Sequence, residues 1–82
     1  MSLKKPKFVD GVMRFTLSYT GTQQEVRELI AGDQTIPDQF KRAIDSLLLP
    51  FTPEMKLSCN GRGVISEQRE GSFSIVISKL EQ

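Results

Sequence analysis

The sequence predicts one α+β domain, a two-layer sandwich in the order β-α-α-β-β-β, with two helices on one face of a four-stranded antiparallel sheet. An alternating apolar and polar segment comes first, and two segments with helical spacing follow it. Two turn signals, Asn60-Gly61 and Glu70-Gly71, then divide the last third into three alternating runs, a pattern typical of an antiparallel meander. If each helix reverses the chain, all four strands run antiparallel, although either meander edge could pair with the first strand.

Residues 1–10 are predicted to be a flexible N-terminal arm because they contain Pro6 and three lysines, and residues 11–82 are predicted to be a single domain. The first strand begins near Val12. Its period-two alternation is typical of a strand with one buried face. The apolar positions of this strand are Met13, Phe15, Leu17 and Tyr19.

The first helix is predicted to begin with a capping box formed by Thr22 and Glu25, in which each residue bonds the other's backbone. Its apolar residues fall at i, i+3 and i+4 and define one face. Gly32 is the predicted stop, since glycine adopts the left-handed conformation without steric cost. The apolar face comprises Val26, Leu29 and Ile30.

The second helix is predicted to begin near Pro37, because proline is tolerated in the first turn of a helix. Its apolar residues follow the i, i+3, i+4, i+7, i+8 spacing of an amphipathic helix. Pro50 and Pro53 prevent its continuation. The apolar stripe comprises Phe40, Ala43, Ile44, Leu47 and Leu48.

The second turn signal is interpreted as a three-residue loop, Arg69-Glu70-Gly71, with the glycine in the left-handed conformation. This loop would place Ile75 opposite Ile65 and Phe73 opposite Glu67. The register of the last two strands follows from this pairing.

Asn60-Gly61 is a favourable two-residue turn, but combining it with that register puts Leu57 and Ile75 on opposite faces of the sheet. One extra residue corrects the faces, and Gly63 is the predicted bulge because glycine tolerates the required backbone. We then expect Leu57, Ile65 and Ile75 to form one row on the helix side.

The opposite face of the predicted sheet carries Val12, Val64 and Val76 among serines, threonines and arginines, and is the candidate interaction surface. The alternative is that this face is only solvated, since isolated exposed valines are common. The segment Ser72–Ser78 is uncharged and strongly β-forming, so we expect it to be a central or covered strand.

Catalytic signals are absent from the sequence, so we expect no enzymatic activity, cofactor or small-molecule ligand. The chain has no histidine to activate a hydroxyl or thiol, and its one cysteine, Cys59, cannot form a zinc cluster or an intrachain disulfide. Cys59 occupies an inward strand position and is interpreted as a small core residue.

Nucleic-acid binding is the alternative function, through the basic arm and the arginines of the predicted hairpin. Net charge is +3 over residues 1–21 but −2 over residues 22–50, so the helical segment would repel phosphate. The total of +1 is also small for a nucleic-acid-binding protein. The candidate phosphate contacts are Lys4, Lys5, Lys7, Arg62 and Arg69.

The sequence therefore predicts a small non-catalytic binding protein that contacts another protein, or a second copy of itself, through its sheet. No apolar run is long enough to span a bilayer and no secretory signal is visible, so a cytoplasmic location is expected.

Overall fold

The structure, a computed structural model, describes residues 8–66 and 69–80 of the chain. The predicted mixture of helices and antiparallel strands is confirmed, but the predicted four-stranded sheet is wrong. The three strands form one antiparallel sheet in the order β1-β2-β3, so β1 pairs with the first strand of the meander. The elements are β1 (Val12–Thr22), α1 (Gln23–Ala31), α2 (Asp38–Leu48), β2 (Lys56–Ser66) and β3 (Arg69–Lys79).

The strand count was wrong because Asn60-Gly61 is not a turn. Gly61 lies in the middle of β2, opposite Leu17 of β1 and Ile75 of β3. A β-carbon on Gly61 would lie 2.8 Å from the backbone oxygen of Ser74, so only glycine fits here without a shift. Gly61 therefore allows the backbone of β3 to approach β2 closely. Close approach of a neighbouring backbone is a known reason for glycine inside a strand.

The strand pairing differs from the predicted register, although the assignment of faces is confirmed. Ile75 lies opposite Gly61 instead of Ile65, and Leu57 lies opposite Lys79. Leu57 is nevertheless buried against the helices, and both Ile65 and Ile75 pack against the same core. The three residues share the helix side but do not form one cross-strand row.

A β-bulge interrupts the pairing of β2 with β3. The register shifts between Val64 and Ser66, so that Ile65 faces two residues of β3, Glu70 and Gly71. A β-carbon on Gly71 would lie 2.6 Å from the backbone oxygen of Val64. The extra residue therefore lies on β3, at a glycine that has no room for a side chain.

Two further predictions are corrected by this bulge. Gly63 is not a bulge, since it pairs regularly with Phe15 and Phe73. The segment Arg69-Glu70-Gly71 belongs to β3 rather than to a loop. Glu67, the predicted partner of Phe73, lies outside the described residues.

The helices begin where the sequence predicts. The capping box of α1 is confirmed, with the Glu25 N–H donating to Thr22 Oγ1 at 3.1 Å and the Thr22 N–H donating to Glu25 Oε1 at 2.9 Å. Gly32 follows the last residue of α1, but its φ of −88° is right-handed, so the left-handed stop was wrong. Pro37 precedes the first residue of α2.

Both helices pack against the same side of the sheet and enclose one apolar core. Odd-numbered residues of β1 and β2 enter this core, while the outer members of the helical stripes, Leu29 and Leu47, remain about half exposed. The predicted burial of Cys59 is confirmed. The buried apolar residues are Phe15, Leu17, Val26, Ile30, Ile36, Phe40, Ile44, Leu48, Leu57 and Cys59.

The position of β3 is the largest departure from expectation. Its segment Ser72–Ser78 was predicted to be central or covered, yet β3 is an edge of the described sheet. The local sequence could not predict the edge position of β3, because that position depends on which strand of the meander pairs with β1. An uncharged strand of this length at an edge is uncommon, since edges are usually protected by charge, proline or a covering segment.

Candidate interaction surfaces

The β3 edge, defined as the side of residues 72–78 that does not pair with β2, has unpaired backbone groups. The Leu80 N–H donates to the Lys56 carbonyl at 2.9 Å, and antiparallel partners alternate along a strand. Even-numbered residues from 72 to 78 of β3 therefore bond to β2. Phe73, Ile75 and Ile77 direct their N–H and C=O groups outward, where no described strand pairs with them.

The side chains along the β3 edge are apolar and partly exposed. Phe73, Ile75 and Ile77 lie on the helix side, where they are half-buried against the core. Val76 points to the other side and is 63% exposed. No charged side chain occurs between Gly71 and Ser78, so none opposes the approach of another strand.

The opposite edge of the sheet is partly protected. Val9 and Val12 exchange two backbone hydrogen bonds, of 2.7 and 3.1 Å, which occupy the start of β1. Arg14 adds an exposed charge at the next outward-bonding position of this strand. Considering the described residues alone, the β3 edge is therefore the more open of the two.

The outer face, defined as the side of the sheet opposite the helices, is polar. It carries even-numbered residues of β1 and β2 and the even-numbered residues 72–78 of β3, and none of these is an aspartate or a glutamate. Two arginines and a lysine are its cations. Its hydroxyl-bearing residues include Thr16, Ser18, Thr20, Ser58, Ser72, Ser74 and Ser78.

The three valines of the predicted interaction surface lie on this outer face but do not form one apolar patch. Val12 and Val64 occupy diagonal positions on neighbouring strands. Val76 lies farther along β3, beyond the row that contains Arg62 and Ser74. The only apolar contact expected within this set is therefore between the first two valines.

A shallow depression of about 510 Å³ lies in the centre of the outer face. Arg14 lies opposite Val64, and Arg62 lies opposite Thr16, which makes the two arginines diagonal neighbours. Both are exposed, and neither guanidinium has a hydrogen-bond or ion-pair partner among residues 8–66 and 69–80. Three lining residues, Phe15, Gly63 and Phe73, occupy helix-side positions of the strands. The others, on the outer face, are Arg14, Thr16, Arg62, Val64, Ser72 and Ser74.

The predicted phosphate contacts are only partly within the described structure. Arg62 is exposed on the outer face. Arg69 pairs with Ser66 through its backbone, and its side chain lies outside the described residues. Arg14 was not singled out from the sequence, although its outward position in the alternation of β1 could have indicated it. The other predicted contacts, Lys4, Lys5 and Lys7, also lie outside the described residues.

A groove of about 870 Å³ separates the two helices on the other side of the molecule. Arg27 and Asp45 form a two-pronged ion pair at this groove, at 2.7 and 3.1 Å. The hydrogen bonds that Arg27 donates to the Asp45 carboxylate raise the pKa of Arg27. The groove is therefore lined by charges of both signs, of which Arg27 and Asp45 pair with each other.

Gln23 is the one buried polar residue of the described chain, and sequence reasoning missed it. Its Nε2 donates to the carbonyls of Leu48 and Phe51, at 3.0 and 3.2 Å, and so ties α1 to the end of α2. Its Oε1 has no hydrogen-bond partner among the described residues. This role could not be predicted from the sequence, because Gln23 lies between Thr22 and Glu25, where the capping box already accounts for the polar residues.

Cys59, the one cysteine of the chain, is buried. Burial raises the pKa of the Cys59 thiol, which disfavours the reactive thiolate. Residues 8–66 and 69–80 contain no group of three or more potential metal ligands. Within the same residues, neither helix is long and apolar enough to cross a membrane.

Comparison of the chain with models of known protein families, with curated proteins and with solved structures gives no match.

Proposed function

We propose that the protein is a non-catalytic binding protein that associates through strand addition at the β3 edge, and that the added strand is β3 of a second copy. The observation that carries this proposal is the row of outward backbone groups on Phe73, Ile75 and Ile77. Strand addition needs only such backbone groups together with suitable flanking side chains.

Self-association is favoured because the β3 edge complements itself. In an antiparallel pair of β3 strands related by a two-fold axis at Ile75, each Phe73 lies opposite the partner's Ile77. Ile75 then lies opposite its own copy, which gives three apolar cross-strand pairs on the helix side. Lys79 lies opposite the partner's Gly71, so no like charges face each other.

A two-fold axis at Ser74 gives a poorer match. It would place Ile77 opposite the partner's Gly71, so two apolar cross-strand pairs remain on the helix side instead of three. The axis at Ile75 is therefore the proposed arrangement.

The size of the domain supports the same proposal. A chain of 82 residues buries roughly 60–65% of the surface that its unfolded form exposes, which leaves a monomer only modestly stable. Pairing two β3 strands covers half-buried side chains and creates a continuous six-stranded sheet. Association then adds stability through mass action.

Sedimentation over a range of protein concentrations tests the proposal, with Val76→Lys as the edge variant and Val64→Lys as its control on the central strand. Both valines are exposed on the outer face, but only Val76 lies on the β3 edge. We expect Val76→Lys to weaken the dimer about tenfold, because symmetry doubles a change of roughly 0.2–1 kcal/mol per cross-strand pair. A strict monomer at high concentration, or equal weakening by both variants, would contradict the proposal.

Disulfide trapping tests the position of the axis in a Cys59→Ala background. In the proposed arrangement, Ser74 lies opposite the partner's Val76 at a position where the backbones are close. A mixture of Ser74→Cys and Val76→Cys chains should therefore cross-link, while neither variant should cross-link alone. Cross-linking of Ser74→Cys alone would place the axis at Ser74 instead.

A further inference from the structure

We propose that the outer face of the sheet, centred on Arg14 and Arg62, is a binding site for the sugar-phosphate backbone of double-stranded nucleic acid. This function is separate from the association of two β3 strands, because it uses the face of the sheet rather than its edge. The two guanidinium groups are exposed, adjacent and without partners in the described part of the chain. They are therefore available to an anionic partner without breaking an internal ion pair.

The chemistry around the two arginines suits phosphate oxygens. Thr16, Ser72 and Ser74 line the same depression and supply hydroxyl donors. Arginine, serine and threonine are among the side chains that contact phosphates in protein–DNA interfaces. Among the described residues of the outer face, no carboxylate is present to repel a phosphate.

The positive charges of the outer face and the net negative charge of the helical segment would orient the outer face toward a polyanion. The outer face carries Arg14 and Arg62, together with Lys56, whose charge also lowers the pKa of Glu25, whereas residues 22–50, which contain both helices, have a net charge of −2. The helices lie on the opposite side of the sheet. The acidic helical segment, which argued against nucleic-acid binding in the sequence, is thus directed away from the proposed site, and such asymmetry favours oriented encounters.

The outer face is better suited to a duplex than to a single strand or a membrane. Recognition of single strands depends on stacking of bases on aromatic side chains. The aromatic residues of the described strands, Phe15, Tyr19 and Phe73, all lie on the helix side. The outer face also lacks the tryptophan, phenylalanine or leucine side chains that insert into a lipid interface.

The dimensions of the sheet are compatible with a duplex. Three strands with spacings of about 4.8 Å place the outer backbones about 10 Å apart, so side chains of the outer face can reach phosphates on both sides of a major groove about 12 Å wide. Sheets and ribbons are known to enter the grooves of DNA. With few cationic contacts, the expected binding is weak, sensitive to salt and independent of sequence.

Fluorescence anisotropy of a short labelled DNA duplex, with the full-length protein at several salt concentrations, tests this site. Arg14→Gln and Arg62→Gln are the test variants, and Arg42→Gln on α2 is the control with the same change in charge. Each test variant should weaken binding and reduce the slope of log K against log salt by about 1, whereas Arg42→Gln should leave the slope unchanged. Equal effects of all three variants would overturn the proposal.

Competition identifies the partner. An unlabelled duplex should displace the probe more effectively than a single strand of equal length, polyglutamate or anionic phospholipid vesicles. If any of these three competes as well as the duplex, the proposed preference for a duplex is wrong.

A variant that combines Lys4→Gln, Lys5→Gln and Lys7→Gln tests whether the N-terminal segment binds the duplex instead. If it abolishes binding while Arg14→Gln and Arg62→Gln do not, the site lies on the N-terminal segment instead.

The proposed dimer and the proposed nucleic-acid site can be tested independently of each other. Val76→Lys should reduce self-association, and Arg14→Gln should not. A protein that binds the duplex as a monomer would contradict only the proposed dimer. A dimer that does not bind the duplex at low salt would contradict only the nucleic-acid site.

Discussion

Phe15 on β1 packs directly over Gly63 on β2, so closely that a β-carbon on Gly63 would lie 2.3 Å from Phe15 Cε1. The Phe15 ring continues into a cluster with Phe40 of α2, at a centroid distance of 5.0 Å, and Phe40 in turn contacts Phe73 at 5.3 Å. The missing side chain of Gly63 therefore creates the space in which rings from three elements meet.

Gly63→Ala should destabilise the fold because the new methyl group must displace the ring of Phe15. Overpacking of this kind costs roughly 1–3 kcal/mol. The free energy of unfolding in urea measures the effect. Gly32→Ala is the control, since Gly32 has a right-handed backbone and its nearest contact to an added β-carbon is 3.6 Å. The control should change stability little, and equal losses from both variants would show that the ring cluster is not responsible.

Tyr19 is the only tyrosine in the chain, so its ionisation can be followed directly by tyrosinate absorbance. Its hydroxyl donates to Asp33 Oδ2 at 2.5 Å. This hydrogen bond, together with partial burial and the charge of Asp33, raises the pKa of Tyr19 to about 12. We expect Asp33→Asn to return the pKa toward about 10. A wild-type titration near 10 would show that the bond is absent in solution.

The same pair makes stability depend on pH at both ends of the scale. The fold favours neutral Tyr19, so its contribution is full below about pH 10 and is lost as the pH rises toward about 12. Burial opposes ionisation of Asp33, but hydrogen bonds from Thr35 and Tyr19 outweigh burial and lower its pKa. The contribution of Asp33 is therefore present above about pH 4 and is lost as the pH falls through its lowered pKa.

Tyr19→Phe isolates the hydrogen bond from the packing of the ring. Its removal should cost about 1 kcal/mol at neutral pH, as for a typical intramolecular hydrogen bond. The variant should also lose the decline in stability between about pH 10 and 12. Urea unfolding at neutral and alkaline pH measures both effects, and a Tyr19→Phe protein with an unchanged alkaline decline would contradict the assignment.

Thr22 controls the start of α1 through the capping box. Thr22→Ala should cost about 1 kcal/mol of stability, because the Glu25 N–H loses its acceptor at the start of the helix. Thr22→Ser is the control, since serine retains the hydroxyl and should keep most of the stability. Thermal or urea unfolding measures the difference, and equal losses from both variants would assign the effect to the methyl group of threonine.

The single thiol provides a probe of the core. Cys59 is fully buried and burial raises its pKa, so a thiol reagent at mildly alkaline pH should react with it very slowly in the native protein. One equivalent should react promptly in denaturant. Prompt reaction under native conditions would show that β2 opens readily.

The sequence specified both helices well because their signals are local. The capping box at Thr22 and the position of Pro37 mark helix starts within a few residues, and the apolar stripes determine which faces are buried. The alternation of the strands also predicted their faces correctly. Leu57 and Ile75 therefore lie on the helix side despite the wrong register.

The sheet could not be specified in the same way, because glycine in a strand has two meanings that the local sequence does not separate. Asn60-Gly61 is a favourable turn signal, yet here Gly61 allows a close approach of β3 and Gly63 accommodates Phe15. Both uses depend on residues far away in the sequence. The local sequence could not predict that Arg14 and Arg62 are neighbours either, since only the pairing of β1 with β2 brings them together.

The order of the strands also has a consequence for folding kinetics. β2 and β3 are adjacent in the sequence and can pair early, but β1 reaches β2 only after the loop that contains both helices has closed. Closure of a long loop costs entropy before any contact is made, and non-local pairing slows folding. We therefore expect docking of β1 onto β2 to limit the folding rate, and until then both sides of the β2–β3 hairpin are open to other chains.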